Sequence, residues 1–210
     1  MIDGVNVHTA RKALGKKMFE EAPVEADVVT GVPDSSISAA IGYAEASGIP
    51  YEMGLIKNRY VGRTFIQPSQ ELRERGVKMK LSALRGVVNG KRVIMVDDSI
   101  VRGTTSRRIV GLLREAGATE VHVRITAPPI TNPCYYGIDT SSKDELISAR
   151  LTPSEICREI GADSLEFLTV NGMVNAIDRP FDGPLKGQCT ACFTGEYPTP
   201  IGALELEAKL

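Results

Sequence analysis

With 210 residues, 42% hydrophobic and 24% charged, the chain is long enough for one well-buried core and too short for two full-sized enzyme domains. A formal net charge of -1 supplies no field to gather nucleic acid or an anionic membrane, so an anionic ligand must be held by a local set of donors. No apolar run approaches the roughly 20 residues of a membrane span, and the first residues lack the basic and apolar regions of a signal peptide, which together predict a soluble, cytoplasmic protein.

Along the chain, apolar residues at helical spacing predict a helix from Thr9 to about Ala22, followed by a short buried strand over Ala26 to Gly31. Gly31 to Ser36 supplies turn residues, with Ser35 or Ser36 as N-cap of a helix running to about Ser47. Ile49 to Ile56 reads as a further strand. Lys57 to Lys80 is polar, basic and glycine-bearing, with a short helical stretch around Glu71, and is expected to move. Asn89-Gly90 carries a tight-turn signature ahead of an apolar strand over Lys91 to Val96. A helix from Thr104 to near Gly117 and a strand over Glu120 to Ala127 complete a second unit. Strand–helix–strand order predicts parallel pairing through right-handed crossovers, hence an α/β fold: an open, mostly parallel sheet with helices on both faces and ligands at the strands' carboxyl ends. Beyond Pro128 the pattern is irregular, with short helices around Pro153 to Ile160 and Gly172 to Ile177. Residues 1–150 are expected to form the main domain and 151–210 a cysteine-bearing extension packed on it.

The chemistry is concentrated in the ten residues from Asp97 to Ser106. Two carboxylates leave a buried strand together, and Gly103, Thr104, Thr105 and Ser106 then open a helix. The unpaired N–H groups and positive dipole end of such a helix cradle phosphate. A ligand satisfying both ends carries a phosphate at one end and hydroxyls or bound Mg²⁺ at the other, which describes a phosphorylated ribose. Cys134, Cys157, Cys189 and Cys192 would make two disulfides in a secreted protein, but nothing else points to secretion. By spacing, the Cys189/Cys192 pair is a redox dithiol, half of a metal site, or two ordinary thiols.

The string around Asp97 and Asp98 resembles the signature of the type I phosphoribosyltransferases, which bind 5-phosphoribosyl-1-pyrophosphate (PRPP). Together with Gly31 to Ser36, Gly54 to Pro68 and Tyr136 to Asp139, it resembles the glutamine PRPP amidotransferase (amidophosphoribosyltransferase) family over about residues 2–198, and most of all its iron-sulfur type from Gram-positive bacteria. The resemblance implies that Asp97 and Asp98 contact the ribose hydroxyls or their Mg²⁺ shell. It assigns the 5′-phosphate to Gly103, Thr104, Thr105 and Ser106, with Ser99 in the same loop. Val32, Pro33, Asp34, Ser35 and Ser36 become the pyrophosphate loop, with Ser35 near Mg²⁺, and Lys57 to Lys80 a lid. Lys57, Arg59, Arg63 and Lys80 neutralise phosphates, Lys57 and Arg59 within the catalytic set. Arg102 pairs either with phosphate or with the two acids. Cys134, Cys189 and Cys192 match ligands of a [4Fe-4S] cluster whose fourth ligand lies upstream of this chain, and Cys157 matches none. His8 and His122 are expected to have structural or surface roles.

The implied reaction is displacement of pyrophosphate from C1 of PRPP by ammonia, giving 5-phosphoribosylamine at the first step of purine synthesis. The family's glutaminase domain would precede residue 1, so glutamine-dependent activity is not expected from this chain alone. Inhibition by purine nucleotides and homo-oligomeric assembly are further implications. Two other readings are a salvage phosphoribosyltransferase, disfavoured by only five Phe, six Tyr and no Trp to stack a base, and a PRPP- or nucleotide-sensing regulator, disfavoured by the intact pyrophosphate loop.

Overall fold

In the computed structural model, the described residues are 1–2, 4–58, 81–138, 140, 142–177 and 187–201. The first helix, α1 (Val7–Glu21), starts two residues before the expected point because Asn6 caps it, its side-chain oxygen accepting from the Thr9 N–H at 3.2 Å. Strand β1 (Val28–Gly31) and helix α2 (Ile37–Ser47) follow. The strand expected over Ile49 to Ile56 is instead divided: Tyr51 makes a single parallel bridge to Val29, and β2 (Leu55–Lys57) pairs with β3 (Leu81–Ala83) in an antiparallel hairpin. Beside β1 the pairing consists of the Val29 N–H donating to the Pro50 carbonyl at 2.9 Å and the Glu52 N–H donating to the Val29 carbonyl at 3.0 Å, after which the Gly54 N–H turns to Thr30 Oγ1 at 2.9 Å.

One helical turn, α3 (Arg85–Val88), leads through the Asn89-Gly90 turn into β4 (Arg92–Asp97), α4 (Thr104–Glu115) and β5 (Glu120–Ile125). Two 3₁₀ turns, Lys143–Glu145 and Ile147–Ala149, precede α5 (Pro153–Ile160), which a Thr152/Glu155 capping box opens. The stretch after it was not legible as a strand, yet β6 (Ser164–Phe167) joins the sheet, and α6 (Val170–Ile177) and α7 (Ala191–Thr194) end the described chain. The sheet runs β1-β4-β5-β6, parallel throughout.

The period of two along β4 divides the core. Val93 and Met95 face α4 and α5 with Val121, Val123 and Ile125, while Ile94 and Val96 face α1 and α2 with Val29. Burial on both faces explains why β4 reads as an unbroken apolar run. On the second face, α1 and α2 approach to backbone contact: a Cβ on Gly15 would lie 1.8 Å from the Ala39 carbonyl oxygen, and one on Gly42 2.0 Å from that of Lys12. Arg124, nearly fully buried on β5, donates to the carbonyl of Ala22 at 3.0 Å and to Ser164 Oγ at 3.0 Å, tying the end of α1 to β6. Among the described residues no helix is long and apolar enough to cross a membrane.

Candidate active site

Register brings the site together. Gly31 ends β1 opposite Val96 of β4, and the Val32 N–H donates to the Val96 carbonyl at 3.0 Å, so the loops 32–36 and 97–106 leave the sheet side by side. They enclose a cavity of about 310 Å³ lined by Val32, Ser35 and the unbroken run from Asp97 to Ser106. This lies at the carboxyl ends of the central strands, where an open parallel sheet leaves its crevice.

Asp97 is the last residue of β4 and only 6% exposed. Its Oδ1 accepts from Ser36 Oγ at 2.9 Å and from the Asp98 N–H at 2.8 Å. Burial, reinforced by the neighbouring Asp98 charge, pushes its carboxyl up to about 6, against the lowering effect of both hydrogen bonds. Asp98 is exposed and accepts from Ser99 Oγ at 3.1 Å. Ser36, fully buried, precedes α2 as expected but does not cap it with its side chain, because its hydroxyl is committed to Asp97. Its hydrogen bond therefore joins the two loops beneath the cavity.

Gly103 precedes α4 with φ +78, a left-handed conformation that turns the chain into the helix. The first intrahelical bond into this region runs from the Arg107 N–H to the Gly103 carbonyl at 2.9 Å, so the N–H groups of Thr104, Thr105 and Ser106 belong to the helix end that can receive an anion. Thr104 and Thr105 are exposed and Ser106 is buried. Across the mouth, Lys57 Nζ sits 3.0 Å from Asp34 Oδ2, carrying the end of β2 to the loop 32–36, whose Pro33–Asp34 peptide is cis. Arg102 lines the cavity, and its guanidinium forms an ion pair with Glu145. Arg59, Arg63 and Lys80 lie outside the described residues.

Sequence reasoning missed Glu145 and Ile147, which touch this loop from more than 40 residues away in the chain. No local period marks such contacts. His122 is held between Ser164 Oγ and Glu120 Oε2, both at 3.0 Å, and His8 bonds Ser38 Oγ at 2.9 Å, so both serve the scaffold as expected.

The cysteines gather elsewhere. The N–H groups of Thr131 and Asn132 both donate to the Cys192 carbonyl at 3.0 Å, and Tyr197 OH donates to the Pro133 carbonyl at 2.7 Å, so the strips carrying Cys134 and Cys192 lie together. Burial first, then the charges of Cys134 and Cys189, push the Cys192 thiol up. Among the described residues no three His, Cys, Asp or Glu side chains are arranged to hold a metal ion. Cys157 stands apart in α5, half-buried, its thiol directed at the Ala162 carbonyl.

Comparison with known proteins is consistent with this geometry. The model of the phosphoribosyl transferase domain matches residues 6–147. The chain is 72% identical over 200 residues to amidophosphoribosyltransferase of Bacillus subtilis (strain 168), covering 95% of this chain and 42% of that protein. It is 58% identical over 208 residues to the amidophosphoribosyltransferase of Staphylococcus aureus (strain N315), covering 99% and 42% respectively. Among solved structures, glutamine PRPP amidotransferase from B. subtilis complexed with ADP and GMP superposes with a TM-score of 0.87 at 72% identity, over 96% of this chain and 44% of that one. The chain thus spans less than half the length of these relatives.

Proposed function

Because this chain belongs to the phosphoribosyl transferase family, we propose that it is the PRPP-binding catalytic part of an amidophosphoribosyltransferase, joining ammonia-derived nitrogen to C1 of PRPP in purine synthesis. The observation that carries this reading is the single cavity shared by the Asp97/Asp98 pair, the loop 32–36 and the start of α4. The N–H groups and hydroxyls from Gly103 to Ser106 hold the 5′-phosphate. Asp97 and Asp98 position the ribose hydroxyls and offset positive charge developing at C1. The loop from Val32 to Ser36, with Lys57, receives the pyrophosphate, and the cations Arg59, Arg63 and Lys80 neutralise phosphate charge.

Hard oxygen donors suit Mg²⁺, which needs only one or two carboxylates beside ligand phosphates, so Asp97, Asp98 and Ser35 fit that ion. When bound there, Mg²⁺ neutralises the leaving group. The nitrogen lone pair of ammonia forms the new bond to C1 as the C1–O bond breaks, its electrons departing on pyrophosphate, and the excess proton passes to solvent or to the leaving group. No side chain acts as nucleophile.

For Cys134, Cys189 and Cys192 we propose ligation of a [4Fe-4S] cluster, supported by their shared neighbourhood. As arranged here the three thiols do not form a metal-holding set, so loading requires them to draw together and a fourth ligand to join. Iron content and the EPR signal after anaerobic reconstitution test this directly. Homo-oligomeric assembly, control by purine nucleotides and a cytoplasmic location complete the proposal. The solved relative's complex with ADP and GMP supports the nucleotide part.

The test of the transfer reaction is pyrophosphate release from PRPP, Mg²⁺ and ammonium chloride. Release that disappears in Asp97→Asn/Asp98→Asn supports catalysis. PRPP binding without release would move the reading to a sensor or to a catalytic part that needs the rest of the enzyme.

A further inference from the structure

Three successive residues of the phosphate loop are engaged by one short segment outside it. The Ile147 N–H donates to the Val101 carbonyl at 2.9 Å. Arg102 forms its ion pair with Glu145. Ile147 also covers Gly103, where a Cβ would lie 2.7 Å from Ile147 Cδ1. Ile147 itself is 3% exposed, so the segment is anchored in the core next to Ile156 and Ile160 rather than resting on the surface. Backbone bond, ion pair and side-chain packing fall in register on 101, 102 and 103. That is the stretch in which the chain leaves the carboxylates and turns into the start of α4.

We propose that Glu145 is a positioning residue: acting through Arg102, and with Ile147 beside it, it braces the phosphate loop so that the N–H groups at the start of α4 are held in place for the 5′-phosphate of the ligand. This rests on the PRPP-binding reading above and assigns Arg102 a part that leaves its guanidinium off the phosphate. A loop of glycine and hydroxyl residues is mobile by itself, and an anion site gains affinity when its donors are fixed before the ligand arrives. The hydrogen bonds and ion pair that make the brace, Ile147 to Val101 and Glu145 to Arg102, do not include the loop 32–36, so loss of the brace should fall on one end of the ligand only.

The experiment is calorimetric titration of the full chain with ribose 5-phosphate, with Mg²⁺-pyrophosphate and with PRPP, for wild type, Glu145→Gln, Arg102→Gln and the double variant, with thermal unfolding alongside. A half-exposed ion pair sets the scale at about two- to fivefold. Glu145→Gln and Arg102→Gln should each weaken ribose 5-phosphate binding by about that factor, the double variant no more than either, and pyrophosphate binding should stay unchanged. If Arg102→Gln weakens binding while Glu145→Gln tightens it, Arg102 is a phosphate ligand that Glu145 withholds, and the brace is refuted. Equal losses for ribose 5-phosphate and pyrophosphate, in step with a lowered melting temperature, would make the pair merely structural and also overturn it. Failure of the wild type to bind PRPP would instead sink the underlying reading, and is seen separately in the wild-type titration.

Discussion

Replacing Asp97 by Asn should stabilise the ligand-free protein while abolishing transfer. The carboxyl is 6% exposed and sits next to Asp98, and its pKa of about 6 exceeds the ordinary 3.8 of an unfolded chain. The folded state therefore binds the proton more tightly than the unfolded one. Stability from this group is greatest below about pH 4, is lost as pH rises through the folded value, and the cost is complete above it. At about 1.4 kcal/mol per pH unit the full cost approaches about 3 kcal/mol, and about 2 kcal/mol is expected because the carboxyl borders an open cavity. Asn keeps an Oδ1 acceptor for Ser36 and for the Asp98 N–H, so it removes charge with little change of shape. Urea unfolding of wild type and Asp97→Asn in the absence of ligand, from about pH 4 to about pH 8, reads the charge of Asp97 together with its repulsion from Asp98, since the remaining carboxylates cancel between the two proteins. The variant should be more stable by about 2 kcal/mol at about pH 8, with the gap closing toward about pH 4. A variant no more stable than wild type at about pH 8 would refute the reasoning, because Asp97 would then lose nothing on burial.

Gly15→Ala and Gly42→Ala should each destabilise by about 2 kcal/mol or more, despite the better helix propensity of Ala, because the added methyl meets a backbone carbonyl that cannot step aside. Thermal unfolding of each variant checks this. Thr152→Ala removes the capping box at the start of α5 and should cost about 1 kcal/mol in urea unfolding, with the active-site cavity untouched. With a thiol reagent under native conditions, exposed Cys189 should be modified first. Cys157 and Cys192 should be modified more slowly, since burial pushes both thiols up and reduces the thiolate available for attack. Mass mapping at successive times gives the order.

What the sequence by itself determined is local. The apolar run from Val93 to Val96 specifies a strand buried on both faces, which demands unbroken hydrophobicity, and the alternation of apolar with polar residues from Glu120 to Ile125 specifies a second strand. The step from Asp97 to Ser106 carries acids, a left-handed glycine and a helix start within one strand-to-helix turn, so its chemistry is readable without any other part of the chain. The short helix around Pro153 to Ile160 is legible in the same local way, and the structure shows Thr152 and Glu155 capping it. Only the tertiary structure decided which groups meet across long separations. Ser36 reads as a helix cap until β1 and β4 bring its hydroxyl to Asp97, 61 residues away. Arg102 reads as a phosphate or acid partner until Glu145 arrives from 43 residues on. Ser164 to Phe167 is too short and too mixed to declare itself a strand, and becomes one because β5 offers it an open edge. The division follows from range: propensity, capping and turn chemistry act over a few residues, whereas hydrogen-bond partners and packing neighbours are set by which elements the sheet places side by side.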